Sequence, residues 1–207
     1  MKTFKNTFLQ YDWDCIKNKI YTATSHQVES VLNKRKRTIE DFMVLLSPAA
    51  APYLEIMAQM AQHLTQKIFG KVIQMYAPLY LSNECQNICT YCGFSLDNKI
   101  RRKTLSNTEI IIEAMALKTM GVNHVLLVSG EANKTVGIEY FLNAIKLLRP
   151  YFANISIEVQ PLSQEEYQSL HDAGVHSVLV YQETYHEAVY KEYHPKGKKS
   201  NFDFRLD

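Results

Sequence analysis

The 207-residue sequence is poor in the residues and patterns that mark several classes of protein. It has only 7 Gly, 6 Pro and 4 Cys, and this composition excludes collagen-like and low-complexity chains. Hydrophobic residues make up 46% of the chain, which suits one globular domain or most of a larger one. The formal net charge is only +2, which does not indicate a protein that binds nucleic acid or a membrane surface.

Long apolar runs are also missing. No segment approaches the roughly 18 consecutive apolar residues that a membrane-spanning helix needs. Residues 1–6 lack the apolar stretch of a secretory signal, so we expect a cytoplasmic protein. In such a reducing compartment the four cysteines are not expected to form structural disulfides.

The first 70 residues predict helices. The most regular pattern covers residues 51–69, and Gly70 predicts a C-terminal cap for that helix. One face of this helix carries apolar residues at alternating spacings of three and four, namely Leu54, Met57, Ala61, Leu64 and Ile68. We therefore assign residues 1–70 to a helical N-terminal extension.

From residue 71 onwards, short apolar segments alternate with helical patterns. Four segments predict β-strands, at residues 72–81, 124–128, 155–159 and 177–181. Three helices are predicted between them, two of them opened by capping boxes at residues 106–109 and 163–166. A fourth helix-prone segment, residues 183–192, follows the last strand.

This order of elements is typical of an α/β fold with a parallel sheet and right-handed crossovers. A complete (β/α)8 barrel takes about 250 residues. Residues 71–207 supply four strands, so we predict roughly the first half of a TIM-like (β/α)8 barrel and expect the chain to be a fragment.

Three of the four cysteines follow the first predicted strand with the spacing C-x3-C-x2-C, at Cys85, Cys89 and Cys92. Three thiolates on one loop can hold three corners of a cubane iron–sulfur cluster and leave one iron open for a small molecule. Zinc is an alternative, although it would need a fourth ligand from Cys15 or a histidine. Incidental thiols are a third interpretation, and we interpret Cys15 as a plain buried cysteine.

The cysteine loop, with an aromatic residue just before its last cysteine, resembles the radical S-adenosylmethionine (SAM) superfamily. Further stretches extend the similarity: Leu-Ser-Pro-Ala-Ala at 46–50, Phe-Gly at 69–70, Tyr-Leu-Ser-Asn at 80–83, Cys-Gly-Phe at 92–94, Ser-Gly-Glu at 129–131, Glu-Val-Gln-Pro-Leu at 158–162, Val-Tyr-Gln-Glu-Thr-Tyr at 180–185 and His-Pro-Lys-Gly at 194–197. Together they resemble the 2-iminoacetate synthase family over essentially all 207 residues.

The resemblance implies a role for individual residues. Cys85, Cys89 and Cys92 match the cluster ligands, and Tyr91 matches the aromatic residue that contacts the adenine of SAM. The stretch Ser129-Gly130-Glu131 matches a Gly-Gly-Glu-like motif whose backbone meets the methionine amino group, with Ser129 in place of the first glycine.

Three further residues are matched with less specific motifs. Glu158 corresponds to a polar residue near the ribose, and Gln182 and Glu183 fall at the substrate end of the last strand. All the matched groups lie at or just beyond the carboxyl ends of predicted parallel strands, and these ends form the active face of α/β folds.

The resemblance also implies cofactors, chemistry and partners. The cofactors would be a [4Fe–4S] cluster and SAM, whose reductive cleavage gives an adenosyl radical that abstracts hydrogen from the substrate. The substrate would be L-tyrosine, split between Cα and Cβ into p-cresol and 2-iminoacetate for the thiazole ring of thiamine. Expected partners are the thiazole synthase and a reductant such as flavodoxin.

Other interpretations of the same residues remain open. One is a related tyrosine lyase of iron–iron hydrogenase maturation, which would carry an extra cluster in a C-terminal region. Another is an inactive or zinc-binding fragment. Glu158 can be a carboxylate that faces water, and Glu183 a charge at a helix N-terminus. The basic residues 191–199 predict a solvated tail, with an approach to a substrate carboxylate as the alternative.

Overall fold

The computed structural model describes residues 3–206, and the chain divides into two compact units, with the boundary in the sequence between Ile73 and Gln74. The first unit is helical. Its elements are α1 (Phe4–Phe8), α2 (Trp13–Tyr21), α3 (Ser25–Leu32), α4 (Ile39–Leu45), a 3₁₀ helix (Pro48–Tyr53) and α5 (Leu54–Phe69). Thr24 and Thr38 open α3 and α4 through capping boxes, in which side chain and backbone satisfy each other's hydrogen bonds.

Helix α5 confirms the predicted helix but not a buried role for its apolar face. It starts at Leu54 rather than at residue 51, because Pro48–Tyr53 is wound as a 3₁₀ helix that contains Pro52. Leu54 and Ile68 are each 61% exposed, and no residue of α5 is buried. Cys15, interpreted from the sequence as a buried cysteine, is exposed on α2.

Within residues 3–206, no single helix has the length and apolarity to cross a membrane. The helices Ile39–Leu45 and Pro48–Phe69 together would have the length and apolar composition of a membrane span, but they are bent by 82° relative to each other.

The second unit contains the predicted parallel sheet. Its strands are β1 (Ala77–Ser82), β2 (His124–Ser129), β3 (Asn154–Glu158) and β4 (Ser177–Leu179), in the order β1-β2-β3-β4 with every pair parallel. Strand β1 is shorter than predicted, because Val72 and Ile73 are exposed and lie outside the sheet. Pro78 is tolerated because β1 is an edge strand of this sheet.

The connecting helices follow the sequence prediction closely. They are α6 (Asn107–Thr119), α7 (Ile138–Leu148) and α8 (Gln164–Asp172), and α9 (Glu187–Tyr193) follows β4. Both predicted capping boxes are formed, by Ser106 with Glu109 and by Ser163 with Glu166. Helix α9 starts four residues later than predicted, so Glu183 lies in the preceding loop and not at a helix N-terminus.

The core of this unit lies between one face of the sheet and helices α6–α8. Strand residues of alternate positions point into it, namely Leu79, Leu81, Val125, Leu127, Ile155 and Ile157. Because side chains alternate along a strand, Tyr80, Val128 and Glu158 face the other side of the sheet. The loops at the carboxyl ends of the strands continue from this face, and they build the candidate site.

Candidate functional site

A cavity of about 450 Å³ opens beyond the carboxyl ends of β1–β4. It brings together nearly all the side chains that the sequence singled out: Cys85, Cys89, Tyr91, Cys92, Ser129, Gly130, Glu131, Glu158 and Glu183. Gln182 is the exception, since it is buried away from the cavity and donates a hydrogen bond from Nε2 to the Phe202 carbonyl at 3.4 Å. Residues far apart in sequence therefore converge as the parallel topology predicts.

The three loop cysteines are free thiols along one wall of the cavity. Cys89 is buried, and its burial raises the pKa of the thiol, whereas the nearby charge of Lys199 lowers it. No group of three or more His, Cys, Asp or Glu side chains within residues 3–206 is arranged to hold a single metal ion. Three thiols without a fourth protein ligand match the donor set of an iron–sulfur cluster with an open iron, whereas structural zinc takes four protein ligands.

Gly130 allows the loop after β2 to touch the cysteine loop. A Cβ atom at this position would lie 2.3 Å from the Glu84 carbonyl oxygen and 3.1 Å from Cys85 Cβ. Its N–H donates to the Ser82 carbonyl at 3.0 Å. The neighbouring Ser129 lines the cavity with a buried Oγ that finds no hydrogen-bond partner within residues 3–206, so this hydroxyl is available to a ligand.

Glu131 joins three parts of the site. Its carbonyl accepts from the N–H of Gln86 at 2.8 Å, and its carboxylate accepts from Asn87 Nδ2 at 2.7 Å. The same carboxylate forms an ion pair with Arg205, whose side chain is only 3% exposed. Burial lowers the pKa of Arg205 to about 10, which still leaves it charged at neutral pH. The carboxylate of Glu131 therefore holds the cysteine loop and the end of the chain together.

Tyr91 lies between two cluster-ligand candidates with its ring half exposed at the cavity. Its hydroxyl is 2.8 Å from Nε2 of His194, and Lys199 Nζ lies 5.7 Å from the ring centroid. Burial and the nearby charge of Glu183 raise the pKa of the phenol strongly, so it stays protonated. Tyr91 thus lines the cavity while its hydroxyl is held by His194.

Two carboxylates have opposite electrostatic environments in the cavity. Burial raises the pKa of Glu158, and the charge of Glu183 raises it further. Burial also disfavours ionisation of Glu183, but its hydrogen bond and charge interaction with Lys199 outweigh this and leave its pKa lowered. The Lys199 Nζ to Glu183 Oε1 distance is 2.8 Å.

Glu183 has a strained backbone. Within residues 3–206 it is the single non-glycine residue with a positive φ, at 68°. Such strain persists where the surrounding structure fixes it, and it is found often at functional sites.

Several residues of the site were not predicted from the sequence. Residues 191–199 were predicted to be a solvated tail, but the side chain of Lys199 is only 14% exposed and lines the cavity with Arg205. Asn87 and His194 are also buried at the site. Two sequence signals pointed to this segment: the His-Pro-Lys-Gly stretch at 194–197 contributed to the family resemblance, and the alternative interpretation of the basic residues was an approach to a substrate carboxylate.

Comparisons with known proteins identify the family. The chain belongs to the radical SAM superfamily, whose family model matches residues 79–207. Membership implies a [4Fe–4S] cluster and SAM as cofactors, in agreement with the thiol set, the orphan hydroxyl of Ser129 and the size of the cavity.

The chain is 50% identical over 207 residues to 2-iminoacetate synthase of Escherichia coli (strain K12) and 49% identical to that of Salmonella typhimurium (strain LT2). In both comparisons the match covers 100% of this chain and 55% of the relative, so the chain spans about half the length of these curated proteins. The crystal structure of HydG, a maturase of the [FeFe]-hydrogenase, matches with a TM-score of 0.86 and 28% identity, covering 94% of this chain and 46% of HydG.

Proposed function

We propose that this radical SAM chain forms the cofactor-binding part of a lyase that splits L-tyrosine between Cα and Cβ into 2-iminoacetate and p-cresol. The observation that carries the proposal is the 50% identity to 2-iminoacetate synthase over all 207 residues. The 28% identity to HydG makes the hydrogenase-maturation alternative the less favoured one.

The proposed cluster ligands are Cys85, Cys89 and Cys92. They form a three-thiolate set on one loop at one wall of the cavity, which would hold the cluster and leave one iron open for SAM. When bound, the cluster and SAM supply the one-electron chemistry that starts the reaction. Structural zinc is not favoured, because it takes four protein ligands and the cysteine loop provides three.

The remaining cavity residues are proposed to bind and orient SAM. The ring of Tyr91 would stack on the adenine, and Glu158 would meet the ribose. The backbone of Ser129-Gly130-Glu131 would meet the methionine amino group, and the free Ser129 hydroxyl adds a hydrogen-bonding group there.

Glu183 is the proposed contact for the substrate. Lys199 keeps the carboxylate of Glu183 ionised inside the cavity. This carboxylate can accept hydrogen bonds from the ammonium group of the substrate. Gln182, given the same role from the sequence, is expected instead to pack against the Phe202 backbone. The walls around these groups exclude water and hold the reacting atoms close, which is the contribution of the protein to radical chemistry.

The proposal also covers the fate of the product, the electron donor and the location of the protein. The product 2-iminoacetate would pass to a thiazole synthase for thiamine biosynthesis, and a one-electron donor such as flavodoxin would supply reducing equivalents. A cytoplasmic location is consistent with both partners and with the low-potential chemistry of the cluster.

A chimeric enzyme provides the test. Residues 1–207 replace the matching segment of E. coli 2-iminoacetate synthase, with the rest of that enzyme unchanged. After anaerobic reconstitution with iron and sulfide, the chimera is given dithionite, SAM and tyrosine, and p-cresol is measured. We expect p-cresol at a rate within about tenfold of the parent and none from the Cys89→Ser chimera. A chimera with a full cluster and SAM cleavage but no p-cresol would refute the tyrosine assignment.

A further inference from the structure

The cysteine loop is bound by a segment that begins at Tyr193, the last residue of α9. Residues 193–199, here named the clamp segment, run antiparallel to it. The N–H of Ile88 donates to the Lys196 carbonyl at 2.9 Å, and the N–H of Thr90 donates to the Tyr193 carbonyl at 3.0 Å. Together with the bond from Gln86 to Glu131, these contacts satisfy the N–H groups of alternate loop residues.

A buried histidine adds a side-chain contact between the two segments. His194 is only 1% exposed, and its Nδ1 lies 2.8 Å from the Tyr190 carbonyl, which can only accept. Nδ1 therefore carries the proton, and in the neutral ring Nε2 accepts from the Tyr91 hydroxyl. The imidazole also stacks on the Tyr190 ring at a centroid distance of 4.0 Å, so its position is fixed from three directions.

Gly197 brings the two backbones into direct contact. Its φ is +100°, and a Cβ atom there would lie 2.3 Å from Asn87 Oδ1, 2.7 Å from Asn87 Cα and 2.9 Å from the Gln86 carbonyl oxygen. The N–H of Lys199 then donates to Asn87 Oδ1 at 3.0 Å. Any other residue at position 197 would strain the backbone and push the clamp segment away from the loop.

We propose that the clamp segment positions the cysteine loop for cluster binding, with Gly197 and His194 as the positioning residues. This inference rests on the proposed cluster site, but it concerns the chain before any cluster is bound. The clamp keeps Cys85, Cys89 and Cys92 along the cavity wall in the metal-free protein, so that cluster assembly does not have to order the loop.

A pair of glycine substitutions tests the clamp. Gly197→Ala introduces the contacts described above, whereas Gly93→Ala is a matched control in the cysteine loop, where a Cβ atom meets nothing within 4 Å. In metal-free protein under anaerobic conditions, amide hydrogen exchange is measured at Ile88 and Thr90, and alkylation by iodoacetamide is measured at each cysteine. We expect Gly197→Ala to raise exchange at both amides and alkylation of Cys89 at least about tenfold. Gly93→Ala is expected to stay within about twofold of the parent.

A second variant keeps the test decisive if Gly197→Ala fails to fold. His194→Phe keeps an aromatic ring against Tyr190 but removes both hydrogen bonds, and we expect it to raise exchange at Thr90. Exchange and alkylation rates that equal those of the parent in every folded variant would overturn the clamp. A cysteine loop that becomes exposed in these variants supports the clamp. Uptake of zinc instead of iron and sulfide by the parent chain would refute the proposed function but would leave the clamp standing.

Discussion

The hydroxyl of Tyr91 lies 2.8 Å from Nε2 of His194, although the two residues are 103 positions apart in the sequence. His194 is itself held by the Tyr190 carbonyl and ring. The aromatic ring at the mouth of the cavity is therefore oriented by a buried residue of the clamp segment, and not by the cysteine loop alone. A substitution in the clamp segment is therefore expected to affect the cysteine loop, and the reverse is expected too.

We predict that replacing any one of Cys85, Cys89 or Cys92 by alanine abolishes the cubane cluster. The reason is that one loop carries all three proposed ligands, and a cluster with two thiolates is not retained. Iron and sulfide content and the electron paramagnetic resonance signal of the reduced protein measure the effect. Cys15→Ala is the control, and loss of the cluster in that variant would contradict the ligand assignment.

We predict that Tyr91→Ala weakens SAM binding by about five- to tenfold while the cluster is retained. An aromatic stacking contact contributes about 1 kcal/mol, which corresponds to this change in affinity. Tyr91→Phe is the control, because it keeps the ring and loses only the hydroxyl, with its contacts to His194 and Glu183; its affinity should stay within about twofold. Equal SAM affinity of Tyr91→Ala and the parent would show that the ring serves loop packing instead.

We predict that Glu131→Gln strongly destabilises the fold. The change leaves the Arg205 guanidinium buried without its carboxylate, and breaking such a pair costs about 3–5 kcal/mol. Urea denaturation of the metal-free chain measures the loss. The exposed carboxylate Glu113 provides the control, since Glu113→Gln should change stability by less than about 0.5 kcal/mol.

The same denaturation experiment tests whether Glu131 and Arg205 act as a pair. Arg205→Met combined with Glu131→Gln should recover part of the lost stability, because no unpaired charge then remains buried. A double variant as unstable as the sum of the two single variants would show that the pair does not act as a unit.

We predict that acidification destabilises the chain partly through His194. Burial lowers the pKa of this imidazole in the folded chain below its usual value of about 6.5. As the pH falls below about 6.5, the unfolded chain takes up a proton that the folded chain does not, so the free energy of unfolding decreases. Urea denaturation at a series of pH values measures this effect, and His194→Phe should flatten the stability profile between about pH 7 and pH 5.

The local elements of this protein could be predicted from its sequence because their signals lie within a few residues of each other. The capping boxes at Ser106 and Ser163 and strand β2 were found within one residue of their observed bounds. The parallel order of the four strands also followed, because a helix between successive strands leaves few other topologies.

The candidate site was predicted only in part. The C-x3-C-x2-C spacing, the family resemblance and the positions at the ends of the strands identified about half of the cavity lining, because parallel strands present their carboxyl ends at one edge. Gln182 and Glu183 are neighbours with the same sequence signal, yet one is buried against Phe202 and the other faces the cavity. The direction of a loop side chain depends on backbone angles such as the positive φ of Glu183, and no local pattern encodes them.

The sequence by itself determined the α/β order, the thiol set and the family resemblance, since these depend on residue type and short spacing. Only the tertiary structure decided that Lys199, His194 and Arg205 belong to the site, because their contacts join segments about 70 to 110 residues apart. The composition of residues 191–199 is typical of a solvated tail. In the structure, Gly197 with its φ of +100° allows this segment to pack against the cysteine loop. Local motifs thus predict the chemical groups of the cavity, whereas long-range packing determines their geometry.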